Sequence, residues 1–139
     1  MNATAYAPPF FFQAPARPVP VPIPDGPEPL VRMENVAEFV GDDPETQQQV
    51  FNLCYDLLVT SLPRMRQAVD TGDTVTLGRL AHHFRGSLGM LGLPMLKELG
   101  EDVEYHHDDL GAERWRQRCE ELYNFLTRLH AELREHVAA

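Results

Sequence analysis

Residues 80–92 read Leu80-Ala81-His82-His83-Phe84-Arg85-Gly86-Ser87-Leu88-Gly89-Met90-Leu91-Gly92, and the rest of the chain is organised around them. At about 3.6 residues per turn, Leu77, Leu80, Phe84, Leu88 and Leu91 fall on one side of a helix. His82 lies almost opposite, because Phe84 is two residues on and roughly 200° further round the axis. The neighbours of His82 on its own face are Gly78 and Arg79 one turn earlier, and Arg85, Gly86 and Gly89 later. That face offers one imidazole, two guanidinium groups and hardly any other side chain. Glycine inside a helix costs about 1 kcal/mol relative to alanine, so three on one stripe call for a reason. Close approach by another macromolecule is the simplest one.

The arrangement resembles the histidine-containing phosphotransfer (HPt) family. Its motif is a histidine, any residue, an aliphatic or aromatic residue, Lys or Arg, Gly, then Ser or Ala, with another glycine ten residues after the histidine. Here those positions are His82, His83, Phe84, Arg85, Gly86, Ser87 and Gly92, while Leu88 replaces the small residue usual after Ser87. Gly41-Asp42-Asp43-Pro44-Glu45 is similar to the family's approach to its first long helix. Ala68-Val69-Asp70-Thr71-Gly72-Asp73 is similar to the turn before the histidine helix, and Leu96-Lys97-Glu98-Leu99-Gly100 to the helix after it. The resemblance covers residues from about Met33 to Leu133.

A chain of 139 residues with 43% hydrophobic content supports one domain with a single core. A formal charge of −9 and a pI near 5.0 argue against nucleic acid or an anionic membrane as principal partner. Cys54 and Cys119 sit inside apolar helical patterns and read as buried free thiols of a reducing compartment. No apolar run approaches the roughly 18 residues that span a bilayer, and prolines break any signal-peptide pattern. These features suggest a cytoplasmic protein, or a detached piece of a larger membrane protein, which the resemblance implies would be the cytoplasmic C-terminal module of an inner-membrane sensor kinase.

Residues 1–30 hold nine of the twelve prolines, with Pro18, Pro20, Pro22 and Pro24 alternating with small apolar residues. Such a segment is extended and polyproline-like, a tether to another domain or a ligand for a proline-reading partner. Phe10, Phe11 and Phe12 offer a docking alternative. Met33, Val36, Phe39 and Val40 predict a short amphipathic helix ending near Gly41. Asp43 is suited to an N-cap, with Pro44 in the first turn. Val50, Phe51, Cys54, Leu57, Leu58, Leu62, Met65 and Val69 then keep a helical stripe that Pro63 should kink.

The histidine helix is expected to run from a cap at Asp73 or Thr74 to Leu91, and Gly92-Leu93-Pro94 to turn tightly into the next. That helix buries Leu96, Leu99 and Val103 and fades through His106-His107-Asp108-Asp109. Trp115, Cys119, Leu122, Leu126, Leu129 and Leu133 mark the last helix. The segments imply an all-α fold: an antiparallel four-helix bundle over residues 31–139, with a short extra N-terminal helix and the proline-rich segment of residues 1–30 in front.

A neutral imidazole is a competent nucleophile toward phosphorus, and its phosphoramidate is labile enough to pass the group to a carboxylate. Phosphoryl transfer needs positioning and charge neutralisation, part of which Arg79 and Arg85 can supply. The resemblance adds that phosphate would arrive from an aspartate on the receiver domain of a hybrid sensor kinase and leave to an aspartate on a response regulator. The receiver would supply Mg²⁺ and most catalytic groups, and the chain would need no cofactor of its own. Gly86 would let the receiver close over His82, with Gly78 and Gly89 in the contact surface. The chain would be a monomeric phosphocarrier and not an enzyme. No Gly-rich phosphate loop is present, and His83 stands where a sensor kinase's dimerising histidine is usually followed by an acidic residue.

His83 lies about 100° from His82 and is the competing acceptor if the register differs by one. In a hairpin turning near Gly92, residue 82 faces about residue 103, which leaves His106 roughly a turn away. Adjacent histidines also diverge, unlike ligands spaced i and i+4, so no metal site is expected. A helical docking module without phosphorylation and a metal-binding bundle are the alternative functions.

Overall fold

The computed structural model describes residues 28–137. The polyproline reading and the Phe10–Phe12 docking alternative fall on residues 1–27, outside those described. The elements are α1 (Met33–Val40), α2 (Pro44–Thr71), α3 (Thr74–Ser87), a 3-10 turn (Leu88–Leu91), α4 (Pro94–Tyr105), α5 (His107–Leu110) and α6 (Ala112–Val137). Among the described residues there is no strand.

Local chemistry sets the boundaries. The Asp43 carboxylate accepts from the Thr46 N–H at 3.0 Å, and Pro44 opens α2 without wasting a donor. Asp73 does the same for α3, accepting from the Thr76 N–H at 3.1 Å. α2 continues through Pro63 as one helix. Pro63 and Val59, whose carbonyl loses its helical donor there, are both exposed, where water can replace the missing bond. The histidine helix stops at Ser87, four residues short of the expected Leu91, and tightens into the 3-10 turn. Leu88 and Leu91 stay buried because the tighter turn still carries both toward the core.

α2, α3, α4 and α6 form the bundle. α2 packs on α6 and α3, and α4 packs on α3 and α6, so α3 and α6 sit diagonally. The pairings run antiparallel: Phe51 stacks on His136, Tyr55 on His130, and Arg66 bonds Glu120, with one number rising as the other falls. Leu77, Leu80, Phe84, Leu96, Leu99, Val103, Trp115, Cys119, Leu122, Leu126, Leu129 and Leu133 are buried as their periodicity requires. The Trp115 indole N–H donates to the Val103 carbonyl at 2.9 Å, tying α6 to α4.

Three features depart from the sequence pattern. In α1 only Val36 is fully buried; Met33 and Phe39 face outward, Phe39 61% exposed. An extra short helix, α5, occupies the stretch where α4 was expected to fade. Glu98, Glu101 and Asp102 of α4 are buried. They are matched by Arg118 of α6, which bonds Asp102 at 2.7 Å, and by Arg85 of α3. Buried carboxylates persist only when paired in this way.

Residues 28–31 lie along α6. The Glu132 carboxylate accepts from the backbone N–H groups of Leu30 (2.7 Å) and Val31 (2.8 Å), and Arg128 donates to the Glu28 carbonyl at 2.7 Å. Val31 is buried in the core beyond this strap.

Candidate functional site

α3 presents its apolar residues inward and His82 outward. Leu77, Leu80, Ala81 and Phe84 are buried, while the His82 side chain is 73% exposed. A Cβ built on Gly78, Gly86 or Gly89 would meet nothing within 4 Å, so the three expected glycines line open space around the ring. Gly86 is exposed; Gly78 and Gly89 are half-buried. Arg79 is exposed, and its positive charge helps to hold down the Asp73 carboxyl, after the hydrogen bonds from Thr76. His83 is exposed on the flank.

The face is less bare than the sequence suggested. Glu104 reaches across from α4, and its Oε2 lies 2.7 Å from His82 Nδ1. Glu104 Oε1 accepts from Arg85 Nη1, and Arg85 Nη2 lies 3.4 Å from Glu101 Oε2. The Arg85 guanidinium also sits over the Tyr105 ring, 5.3 Å from its centre. Burial works against the charge on Arg85, but Tyr105 and Glu104 outweigh it and push the guanidinium pKa up. A carboxylate only accepts, so Nδ1 is the donor of this contact, and in the neutral ring that arrangement leaves the Nε2 lone pair free. Glu104 was absent from the sequence reading. The hairpin register, which set residue 82 opposite about 103, came within one residue of it.

The other histidines lie elsewhere. His106 is buried at the start of α5, with Nδ1 2.8 Å from Asp109 Oδ2, and His107 meets the Trp115 ring edge-on. Among the described residues no group of three or more His, Cys, Asp or Glu is arranged to hold a metal ion. Nor is any helix among them long and apolar enough to cross a membrane.

The four-helix bundle thus carries an exposed histidine with open space at the neighbouring helix glycines. The family model of the Hpt domain matches residues 34–137. The chain belongs to the Hpt family. Hpt domains are phosphocarrier modules of two-component signalling, not enzymes, and they interact with receiver domains and response regulators. The matched range takes in α1 through α6, apart from the first residue of α1. No curated protein and no solved structure matches the chain.

Proposed function

We propose that His82 is the phosphoryl acceptor and donor of a phosphorelay, taking the group from a receiver-domain aspartate and passing it to a response-regulator aspartate. The observation that carries this reading is the state of the ring: exposed, with Nδ1 engaged by Glu104 and Nε2 left for an incoming group. In the forward step the Nε2 lone pair forms the N–P bond as the P–O bond to the donor aspartate breaks. That aspartate leaves as a carboxylate, and the Nδ1 proton stays between the ring and Glu104. Imidazole becomes phosphoimidazolium, a leaving group that departs as neutral imidazole when the next aspartate attacks.

Gly86 gives the partner room above the ring, with Gly78 and Gly89 in the contact surface, and Arg79 adds positive charge to it. Mg²⁺ is assigned to the receiver's own acidic site. The proline-rich lead-in is assigned as a tether, and a hybrid sensor kinase working at the cytoplasmic side of a membrane suits such a module as its parent.

The test is incubation with a phosphorylated receiver. Acid-labile, base-stable label lost in His82→Gln and kept in His83→Gln supports the assignment. Equal labelling of both variants refutes it, and absence of label from the unmodified protein with every receiver tried favours a docking role without phosphorylation.

A further inference from the structure

α4 is buried on two sides. Leu96, Leu99 and Val103 face the core, as a bundle helix requires. Glu98, Glu101, Asp102 and Tyr105, spaced i, i+3, i+4 and i+7, form a second stripe. Glu101 lies roughly 160° around the axis from both Leu99 and Val103, on the outward side of the helix. Yet Glu98 is 5%, Glu101 7% and Asp102 2% exposed. Among the described residues α4 packs on α3 and α6 at its flanks and on α5 at its end. Arg85 reaches Glu101 from the α3 flank, and Arg118 reaches Glu98 and Asp102 from the α6 flank. Two side chains pinned at the edges of a helix do not roof the ridge between them, so the stripe lies under a further cover.

The strap points to that cover. From Val31 back to Glu28 its contacts on α6 fall from Glu132 to Arg128, so the chain upstream of residue 28 is aimed along α6 toward Ala112. α4 runs antiparallel beside it, with Asp102 against Arg118 and Val103 against Trp115. At about 3.1 Å per polyproline residue and about 1.5 Å per helical residue, Pro24 comes level with about Glu120 and Val21 with about Arg114. Those levels lie opposite the Glu101–Tyr105 stretch of α4. Residues 18–24, Pro-Val-Pro-Val-Pro-Ile-Pro, also suit the place chemically. They carry no charge to bury, and the four prolines bring no N–H into a dry contact. Val19, Val21 and Ile23 each keep an N–H, and a carboxylate with about four lone-pair sites accepts such donors beside an arginine. The strap already makes this bond, where Glu132 takes the N–H groups of Leu30 and Val31.

We infer that the outward side of α4, with the adjoining edge of α6, is the docking surface of the chain's own residues 18–27, which continue the strap and lie over the Glu101 and Asp102 ion pairs. The tether to any upstream domain then begins before residue 18, at the α5 end of the bundle. The alternating proline stretch is occupied by its own domain and is not offered to a proline-reading partner. None of this depends on His82 being the acceptor.

The experiment uses the full chain with a nitroxide on Val21→Cys or, separately, on Asp25→Cys, each checked for helical content. Cys54 and Cys119 are buried, so the label goes to the new thiol. Amide signals of ¹⁵N-enriched protein should lose most of their intensity along the outward side of α4 and the facing part of α6. The centre of that loss should lie near Tyr105 and Arg114 for the label at 21, and move toward Glu98 and Glu121 for the label at 25. The amides of α2, diagonal to α4, should stay sharp. Faint and even broadening over all faces, or broadening centred on another face, overturns the inference. So does equal broadening in unlabelled ¹⁵N protein mixed with nitroxide-bearing chain, which would show that a second copy supplies the cover.

Discussion

Asn35 of α1 donates from Nδ2 to the Gly92 carbonyl across 3.2 Å, bonding the helix that opens the domain to the turn that closes the motif. The two residues are also in close approach. A Cβ on Gly92 would stand 2.8 Å from the Asn35 Cβ, and Gly92 has φ +64°. This motif glycine therefore serves the fold. Gly92→Ala combines left-handed strain with a clash against a side-chain root that cannot swing away, and should cost about 1–3 kcal/mol. Urea denaturation would show it as a lower midpoint; an unchanged midpoint would contradict the argument.

Gly86, the other glycine of the motif, makes the opposite case. Nothing lies within 4 Å of a Cβ placed there, and the residue is inside α3. Gly86→Leu should raise helix stability by up to about 1 kcal/mol through propensity. It should also slow phosphoryl transfer by tenfold or more, by placing bulk beside the ring. Thermal melting and transfer kinetics on the same sample test both halves, and normal transfer rates would remove the access argument.

The two thiols should be inert in the folded protein. Burial raises Cys54 to about 11 and Cys119, with the Glu120 charge adding to it, to about 12. At pH 8 almost no thiolate forms at either, and both are shielded. Labelling with a thiol reagent should run at least about a hundredfold slower than in urea, limited by opening of the bundle. Rapid modification of either in native buffer would show that α2 or α6 opens locally.

His130 gives the bundle a defined acid sensitivity. Burial, followed by the Arg134 charge, lowers its pKa below the usual imidazole value, and its ring stacks on Tyr55 of α2 at 4.9 Å. The unfolded chain thus binds this proton more readily than the folded one. The stability involved is fully present above the ordinary pKa of 6.5 and is lost as pH falls through the lower folded value. Between pH 7.5 and 5 the melting temperature of the native protein should fall more than that of His130→Gln. Parallel curves would mean that the stacked ring takes up its proton without cost.

Much of this architecture was legible because apolar spacing and caps are local signals. The Leu77–Leu91 stripe, the Asp43 and Asp73 caps and the Trp115–Leu133 face needed no tertiary knowledge, and each is where its period put it. Other features depend on what lies across the bundle. Nothing in the spacing of Glu98, Glu101 and Asp102 marks them as buried; Arg118 and Arg85, brought against them by the fold, do that. Phe39 reads as core, yet α1 is short enough to bury little beyond Val36. At the site, His82, Arg85 and the glycines announced themselves by sequence. Glu104 lies 22 residues from the histidine and becomes its neighbour only through the register of the α3–α4 hairpin.

The strap at residues 28–31 has a consequence for traffic. It fastens the chain to α6, diagonally across the bundle from the histidine helix. The chain entering the bundle at residue 28 is therefore moored at the back of the domain, and the face that carries the imidazole is left uncovered by it.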